Sequence, residues 1–173
     1  MRQLELDAHL ENLKLTDLRF KTGNKILGKG SYGMVELAEH KQTGLKFAVK
    51  KIDKASLVNK KIKETLLREI KIHSQLRHEN IVRLYTSLED KDFIYLVLEY
   101  CDKGNLFHYI RKKKTLSEEE SFFFFAQAAA GIYFLHKNGF IHRDIKPENL
   151  LLNSDGVLKV CDFGWCIGIE QDE

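Results

Sequence analysis

Two short polar segments near the C-terminal end of the sequence carry residues that could perform phosphate chemistry. The first, residues 142–149, reads His-Arg-Asp-Ile-Lys-Pro-Glu-Asn and contains the only proline of the chain. The second, residues 162–164, reads Asp-Phe-Gly and begins thirteen residues after Asn149. Carboxylate and amide oxygens are hard ligands, which Mg²⁺ prefers and Zn²⁺ does not. The two segments therefore predict a magnesium-bound phosphate site with Asn149 and Asp162 as metal ligands.

The first segment also holds an acidic residue, Asp144, and a basic residue, Lys146, two positions apart. Asp144 could orient a hydroxyl group and accept its proton, and Lys146 could neutralise charge on a transferred phosphoryl group. We expect His142 to be a buried residue that holds the segment in place and not a proton-transfer group. Taken alone, these residues could equally form an ordinary polar loop and turn.

A glycine pattern, Gly28-x-Gly30-x-x-Gly33, occurs near the start of the chain. Alone it is a weak signal, because such loops bind dinucleotides or ATP and also form plain turns. A dinucleotide site would require a helix after Gly33, whereas residues 34–39 alternate as a strand does. The pattern therefore favours a β-hairpin that covers phosphate groups.

A lysine and a glutamate nineteen residues apart could form a buried ion pair. Lys50 ends an apolar alternating run, and Lys51 should point to the opposite face of the sheet. Glu69 falls on the inward face of a predicted helix, where an unpaired carboxylate would be costly. We expect Glu69 to pair with Lys50 and to direct it at phosphate oxygens; the alternative is two unrelated surface charges.

The first half of the sequence predicts an antiparallel meander over residues 25–50, followed by one helix and two further strands. Residues 1–19 are interpreted as a short helix or an arm packing on the domain. Apolar residues at helical spacing predict a helix over 60–77. The predicted strands cover residues 25–27, 34–39, 45–50, 81–87 and 93–99.

The second half predicts helices and a hairpin. A short helix is expected over 106–113, and Ser117 with Glu120 forms a capping box that begins a helix ending near Lys137. We expect the four phenylalanines at 122–125 in that helix to be core, because the helix is apolar on nearly every side. Residues 150–161 predict a β-hairpin.

Composition excludes several classes of protein. The chain has 173 residues, 43% of them hydrophobic and 31% charged, and a net charge of +3; this balance does not favour nucleic acid or membrane as the main partner. No segment approaches the apolar length of a signal peptide or a transmembrane helix. Cys101, Cys161 and Cys166 are odd in number and lack metal-ligand spacing, so we expect reduced thiols and a cytoplasmic or nuclear location.

In combination, these motifs resemble those of eukaryotic serine/threonine protein kinases, and of the Aurora family in particular. The resemblance covers about residues 20–167, and Lys146 is the serine/threonine-type choice at its position. The matching motifs are Gly-Lys-Gly-Ser-Tyr-Gly-Met-Val (28–35), Ala-Val-Lys (48–50), Arg-Glu-Ile (68–70), His-Arg-Asp-Ile-Lys-Pro-Glu-Asn (142–149) and Asp-Phe-Gly-Trp (162–165).

The resemblance implies an α+β protein-kinase-like fold and assigns roles to individual residues. The implied catalytic residues are Asp144, Lys146, Lys50 and Glu69, and the implied magnesium ligands are Asn149 and Asp162. The residues that it places around ATP are Leu27, Gly28, Lys29, Gly30, Ser31, Tyr32, Gly33, Met34, Val35, Ala48, Lys50, Leu98, Glu99, Cys101, Glu148, Asn149, Leu151 and Asp162.

The same resemblance implies a domain organisation. Residues 1–19 would form an N-terminal extension and residues 20–101 a complete N-lobe with a hinge at 99–101. Residues 102–173 would form a partial, mainly helical C-lobe. The sequence ends nine residues after Gly164, so we expect the activation segment and the later helices to be absent and the C-lobe to be truncated.

The implied function is the transfer of the ATP γ-phosphate to serine or threonine hydroxyls of a protein substrate, with ATP and Mg²⁺ as cofactors. The alternative is a non-catalytic ATP-binding or partner-binding kinase fragment. The Aurora likeness further implies an activating protein partner and association with the spindle or centrosome.

Overall fold

The computed structural model describes residues 10, 12–20, 26–30 and 33–169. They divide into two compact units. The first contains the described residues up to Ser74 together with 83–100, and the second contains 75–82 and the described residues from Cys101 onward. Residues 75–82 thus lie in the second unit, although in sequence they interrupt the first.

The first unit is built on a six-stranded antiparallel sheet. Its strands are β1 (Leu18–Phe20), β2 (Ile26–Gly30), β3 (Gly33–His40), β4 (Lys46–Asp53), β5 (Leu84–Glu89) and β6 (Phe93–Glu99). The strand order is β1-β3-β4-β6-β5, and β2 also pairs with β3. The meander predicted over residues 25–50 is confirmed as β2-β3-β4, with strand bounds that differ from the predicted ones by one to three residues. The strand expected from Ile81 begins at Leu84, because Ile81 instead forms a β-bridge with Val160 in the second unit.

Both faces of this sheet are covered because its strands alternate. Phe47 and Val49 of β4 lie in a cluster with Leu10, Leu13 and Leu18 from the N-terminal segment. The opposite face carries Ile52 and Leu96 and packs against Leu66 of the helix α1 (Lys60–Gln75). The described part of residues 1–19 therefore belongs to the core, as expected for an arm that packs on the domain. Helix α1 ends two residues before the predicted end.

The second unit contains two helices and two small antiparallel pairs. The helices are α2 (Leu106–Lys113) and α3 (Glu118–Lys137), both with the predicted bounds. The strands are β7 (Phe140–Ile141) with β10 (Ile167–Gly168), and β8 (Leu150–Leu152) with β9 (Leu158–Val160). The predicted capping box at Ser117 and the predicted hairpin are both confirmed.

A polar network ties residues 75–82 to α3 and β9. The Asn80 amide nitrogen donates to the Gln127 side-chain oxygen at 3.2 Å and to the Leu158 carbonyl at 3.0 Å. The same Gln127 oxygen accepts the Leu158 N–H at 2.9 Å. The close approach requires a glycine in α3, since a Cβ at Gly131 would lie 2.8 Å from the Asn80 carbonyl oxygen.

The expectation that the phenylalanine run is core is wrong for three of its four residues. Phe124 is buried, but Phe122, Phe123 and Phe125 are 73%, 53% and 71% exposed. The reason is geometric: successive residues of a helix point about 100° apart, and the rest of the second unit covers only one side of α3. The sequence pattern gives the apolar character of a side chain but not which side of the helix is covered.

Two other expectations concern the described residues as a whole. None of the helices in the described ranges is long and apolar enough to cross a membrane. Cys101, Cys161 and Cys166 form no disulfide, in agreement with the predicted reduced thiols.

We expect Gly131→Ala to destabilise the chain, although alanine normally stabilises a helix relative to glycine by about 1 kcal/mol. The new Cβ would meet backbone atoms that cannot move without breaking the Asn80 contacts. The expected loss is roughly 1–3 kcal/mol in urea unfolding followed by circular dichroism. The control is Ala129→Gly, at an exposed position of the same helix, which measures the difference in helix propensity between alanine and glycine. Stabilisation by Gly131→Ala would contradict the close approach.

The hydrogen bonds that cap α3 should make the unfolding free energy of the chain depend on pH in the acid range. Lys113, the Ser117 N–H and the Tyr109 hydroxyl all donate to Glu120, and the Lys113 hydrogen bond is the largest cause that lowers the Glu120 pKa to about 2. Glu120 therefore stabilises the folded chain above its usual pKa near 4.5, and this contribution is lost as pH falls towards 2. Glu120→Gln should flatten the decline of unfolding free energy between these pH values, whereas Glu119→Gln should not. Identical acid profiles for Glu120→Gln and the unmodified chain would refute this.

Candidate active site

The predicted ion pair of the first unit is present. The Lys50 ammonium Nζ lies 2.8 Å from the Glu69 carboxylate Oε1, and the two side chains are 8% and 4% exposed. Lys50 lies opposite Val35 and Leu96 in the sheet, on the face that packs against α1, so the alternation of β4 directs it towards the helix. The second carboxylate oxygen, Glu69 Oε2, finds no hydrogen-bond partner among the described residues.

The glycine pattern forms a hairpin, as predicted. Gly28 pairs with Val35 and Gly30 pairs with Gly33 across β2 and β3, and the two connecting residues, Ser31 and Tyr32, lie outside the described part of the chain. At Gly33 a Cβ would lie 2.0 Å from the Lys51 carbonyl oxygen. Only glycine allows this backbone approach, and the strand after Gly33 excludes the helix that a dinucleotide site needs.

The remaining candidates of the first unit divide between the two faces of the sheet. Ala48 and Leu98 are cross-strand partners and share the face of Lys50. Lys29 and Met34, also partners, lie on the opposite face. Other candidates lie at the margins of the sheet. Leu27 is exposed where the β2–β3 register shifts, and Glu99 ends β6, where its side chain accepts the Arg83 N–H.

In the second unit, the Asp144 carboxylate and the Lys146 ammonium are in direct contact. The Lys146 Nζ donates to both carboxylate oxygens of Asp144, at 3.0 and 2.8 Å, and the Asn149 amide nitrogen donates to one of them at 2.9 Å. The Lys146 hydrogen bond is the largest cause that lowers the pKa of Asp144. Asp144 is therefore a fixed, ionised hydrogen-bond acceptor at neutral pH.

His142 is the structural residue that the sequence predicted. It is 2% exposed, its Nε2 lies 3.0 Å from the Cys161 carbonyl, and its Nδ1 accepts the Asp144 N–H at 3.2 Å. Burial lowers its pKa, so the ring is neutral, with Nε2 as the donor. The ring also packs edge-on against Phe163, with centroids 5.2 Å apart. His142 thus joins the segment 142–149 to the segment 162–164.

The backbone on both sides of this contact is unusual. Arg143 and Asp162 have positive φ angles of 67° and 63°, a region that non-glycine residues rarely enter. The Arg143 side chain donates to the Trp165 carbonyl at 2.7 Å, and Asp162 accepts the Gly164 N–H at 3.3 Å. Such local strain is often found where side chains must be held for function.

The residues predicted to hold a metal lie at the same end of the β8–β9 hairpin. The Cys161 N–H donates to the Asn149 carbonyl at 2.9 Å, so Asn149 lies opposite Cys161. Asp162 is the next residue after Cys161, one position away from Asn149 in this pairing. The Asn149 amide nitrogen faces Asp144, so its oxygen points the other way. One amide and one carboxylate oxygen fit Mg²⁺, which takes few protein ligands and completes its shell with water and phosphate. No group of three or more His, Cys, Asp or Glu capable of holding a metal occurs in the described ranges.

Comparison with known proteins agrees with this geometry. The family described as "Protein kinase domain" matches residues 21–173. The chain belongs to the protein kinase domain family. It is 43% identical to an Aurora kinase of Candida albicans over 93% of its length and 48% identical to an Aurora kinase of Schizosaccharomyces pombe over 83%. It is also 46% identical, over 80%, to the serine/threonine-protein kinase ATG1a of Arabidopsis thaliana.

By its similarity to these relatives, the chain has an Aurora-like protein kinase sequence. It spans 30%, 40% and 22% of the lengths of these three relatives. The α+β fold expected from the family resemblance is confirmed by the sheet of the first unit and the helices of the second.

The other kinase-site candidates of the second unit lie in its hairpin and turns. Leu151 is half-buried in β8 and forms a bridge with Asn105. Cys101 is buried, and its carbonyl accepts the Gly104 N–H at 3.3 Å. Glu148 is exposed in the 3₁₀ turn Pro147–Asn149.

Sequence reasoning missed two side-chain contacts, one in this kinase site and one in the packing of the second unit. The sequence assigns Asn149 to the metal and to ATP, yet it also hydrogen-bonds Asp144. Asn80 was not assigned a role, although it connects α3 to β9. For Asn149 the five-residue separation from Asp144 was a usable signal, since a tight turn between them brings the two side chains together. For Asn80 no local signal existed, because its partners are distant in sequence.

The buried pair gives a testable energetic prediction. Lys50→Met leaves the Glu69 carboxylate buried without a cation and should cost about 3–5 kcal/mol of unfolding free energy. The double variant Lys50→Met, Glu69→Leu removes both charges and should be more stable than Lys50→Met alone. Urea unfolding of both variants by circular dichroism measures the difference.

The neighbouring Lys51 provides the control for this pair. Lys51 is half-buried and lies over the Phe93 ring at 3.9 Å, so Lys51→Met should cost about 1 kcal/mol or less. Glu69→Leu is measured alone as well. If the double variant loses as much stability as Lys50→Met and Glu69→Leu together, Lys50 and Glu69 are not coupled.

Proposed function

We propose that this chain carries the phosphoryl-transfer residues of a serine/threonine protein kinase. The observation that carries the proposal is the convergence of Lys146 and Asn149 on the carboxylate of Asp144. A carboxylate held from two sides presents its acceptor oxygens in a fixed direction, as a group that orients a substrate hydroxyl must. Similarity to Aurora kinases supports the same reaction class.

In this proposal Asp144 accepts the hydrogen bond, and then the proton, of a serine or threonine hydroxyl of a protein substrate. Its low pKa keeps it ionised, so it acts mainly by orientation and takes the proton as the new ester bond forms. Lys146, at 2.8 Å from Asp144, is positioned to stabilise negative charge on the transferred phosphoryl group. Phosphoryl transfer has a loose transition state, so positioning and charge stabilisation supply most of the catalysis.

ATP is the proposed phosphate donor. Lys50, oriented by Glu69 at 2.8 Å, would contact phosphate oxygens of the nucleotide, and the glycine hairpin offers a backbone without side chains for close approach. Ala48, Val35 and Leu98 share the face of Lys50 and supply an apolar surface for the adenine.

Magnesium is the proposed metal, with Asn149 and Asp162 as its protein ligands. When bound, Mg²⁺ neutralises charge on the phosphate oxygens. The protein's own contribution is the hairpin pairing that holds the two side chains at one end, and the hydrogen bond from Asn149 to Asp144 that links metal ligand and acceptor.

The test is phosphoryl transfer from radiolabelled ATP with Mg²⁺ to a basic protein substrate. Asp144→Asn keeps the size of the side chain but removes the anionic acceptor, so the transfer rate should fall at least about 100-fold. Asp155→Asn, in the exposed turn between β8 and β9, is the matched control and should keep full activity. Phosphoamino-acid analysis should yield phosphoserine or phosphothreonine.

Binding should be measured alongside turnover. A thermal shift by Mg²⁺-ATP should persist in Asp144→Asn and weaken in Lys50→Met, judged against each variant's own unliganded melting temperature. Equal transfer by the unmodified chain and Asp144→Asn would refute the role of Asp144. A thermal shift without any transfer by the unmodified chain would favour a non-catalytic nucleotide-binding module and overturn the proposal.

A further inference from the structure

Strand β9 leads directly to Asp162, the proposed magnesium ligand, and is bound along both of its edges. One edge pairs with β8. At the other edge the Val160 N–H donates to the Asn80 carbonyl, and the Val160 carbonyl accepts the Val82 N–H, both at 2.9 Å. Leu158 and Val160 are fully buried, so their peptide groups need protein partners. The path of β9 therefore determines where the chain enters Asp162.

The peptide groups of Leu158, the first residue of β9, are bound by two side chains. The Leu158 N–H donates to the Gln127 Oε1 at 2.9 Å, and the Leu158 carbonyl accepts from the Asn80 amide nitrogen at 3.0 Å. The same Asn80 nitrogen donates to the Gln127 oxygen at 3.2 Å. Along an antiparallel pair, alternate residues direct their peptide groups away from the partner strand. Gln127 and Asn80 thus take the place of a neighbouring strand at Leu158.

Gln127 is held in one orientation by its own helix. Its Nε2 donates to the Phe123 carbonyl, one turn earlier in α3, at 3.3 Å, so its side-chain oxygen is directed at β9. Gly131, one turn later, allows α3 to lie close to the strand, since a Cβ there would lie 3.1 Å from the Val160 side chain. Because helix and strand are in close contact, the Gln127 oxygen is a fixed anchor for the start of β9.

The two proposed magnesium ligands reach the site by different routes. Asn149 precedes β8, and its amide nitrogen is held by the Asp144 carboxylate at 2.9 Å. Asp162 follows β9. A shift of β9 along β8 would therefore change the separation of the two ligands and leave the contact between Asn149 and Asp144 in place. Mg²⁺ requires near-ideal octahedral geometry, whereas Ca²⁺ accepts variable geometry at longer distances, so such a shift penalises Mg²⁺ more than Ca²⁺.

We propose that Gln127 is a positioning residue for the magnesium site. By accepting the Leu158 N–H it fixes the start of β9, and the strand then places Asp162 at the separation from Asn149 that Mg²⁺ requires. Gln127 acts only through β9, because its hydrogen bonds go to Phe123, Asn80 and Leu158. The inference rests on the proposed function, which assigns Asn149 and Asp162 to the metal.

The test compares the dissociation constants of the full chain for Mg²⁺-ATP, Ca²⁺-ATP and ATP in EDTA, measured by isothermal titration calorimetry. Gln127→Met keeps the length of the side chain but removes its oxygen. It weakens binding of Mg²⁺-ATP by at least about 10-fold, as loss of a group that supports a metal ligand typically does. Binding of Ca²⁺-ATP falls by no more than about three-fold, because Ca²⁺ tolerates altered geometry. Binding of metal-free ATP is unchanged.

Two further variants separate positioning from stability. Gln127→Glu keeps an oxygen acceptor for Leu158 and Asn80 and keeps the Mg²⁺-ATP dissociation constant within about three-fold of the unmodified chain. Ala129→Gly, at an exposed position of α3, weakens the helix without a contact to β9 and changes none of the three constants. Circular dichroism shows that each variant is folded. If Gln127→Met is not, Gln127→Asn replaces it, because its amide is one methylene too short to bind both partners, and the same losses are expected.

Asp162→Asn distinguishes failure of this inference from failure of the proposed function. If Asp162→Asn binds Mg²⁺-ATP as tightly as the unmodified chain, or if the unmodified chain binds no ATP, the proposed metal site fails and the role of Gln127 fails with it. If Asp162→Asn loses Mg²⁺-ATP binding but the shortened or oxygen-free Gln127 variant does not, only the positioning role is overturned. Equal weakening of all three ATP forms, or failure of Gln127→Glu to preserve Mg²⁺-ATP binding, also overturns that role.

Discussion

A buried charge must have a partner, and this constraint determines how the first unit is arranged. The Lys50 ammonium and the Glu69 carboxylate lie 2.8 Å apart with little exposure. Either charge alone would lose its hydration without compensation. The alternation of β4 must therefore direct Lys50 towards α1, and α1 must direct Glu69 towards the sheet. Once both conditions hold, Val35, Ala48 and Leu98 necessarily share the face of Lys50, which sets the apolar surface beside the lysine.

The second unit meets the same requirement with hydrogen bonds. His142 is buried and neutral, and it uses both ring nitrogens: one for the Cys161 carbonyl and one for the Asp144 N–H. Asn149 donates to Asp144 and, through its carbonyl, accepts from Cys161. The segment 142–149 and the strand end before Asp162 are thus held together by buried polar groups that satisfy one another. Positive φ angles at Arg143 and Asp162 are compatible with a backbone constrained by these contacts.

Local signals explain where prediction of the fold was accurate. The bounds of α2 and α3 follow from caps that act within a few residues, such as Asn105 accepting the His108 N–H and Ser117 exchanging hydrogen bonds with Glu120. The hairpins follow from alternation and turn residues. Errors arose where the decisive contact was distant: Ile81 left the first sheet because it pairs with Val160, and the phenylalanine run lies in a helix that is covered on one side only.

The sequence by itself determined the residue types and their order, and hence the family and the α+β fold. It also determined that Lys50 and Glu69 face inward, since strand and helix periods are properties of the backbone. Only the tertiary structure decided that Lys146 and Asn149 both bind Asp144, that Asn80 connects α3 to β9, and that Phe122 and Phe125 are exposed. The physical reason is that side-chain contacts depend on how elements pack in space, and packing depends on residues far apart in the chain.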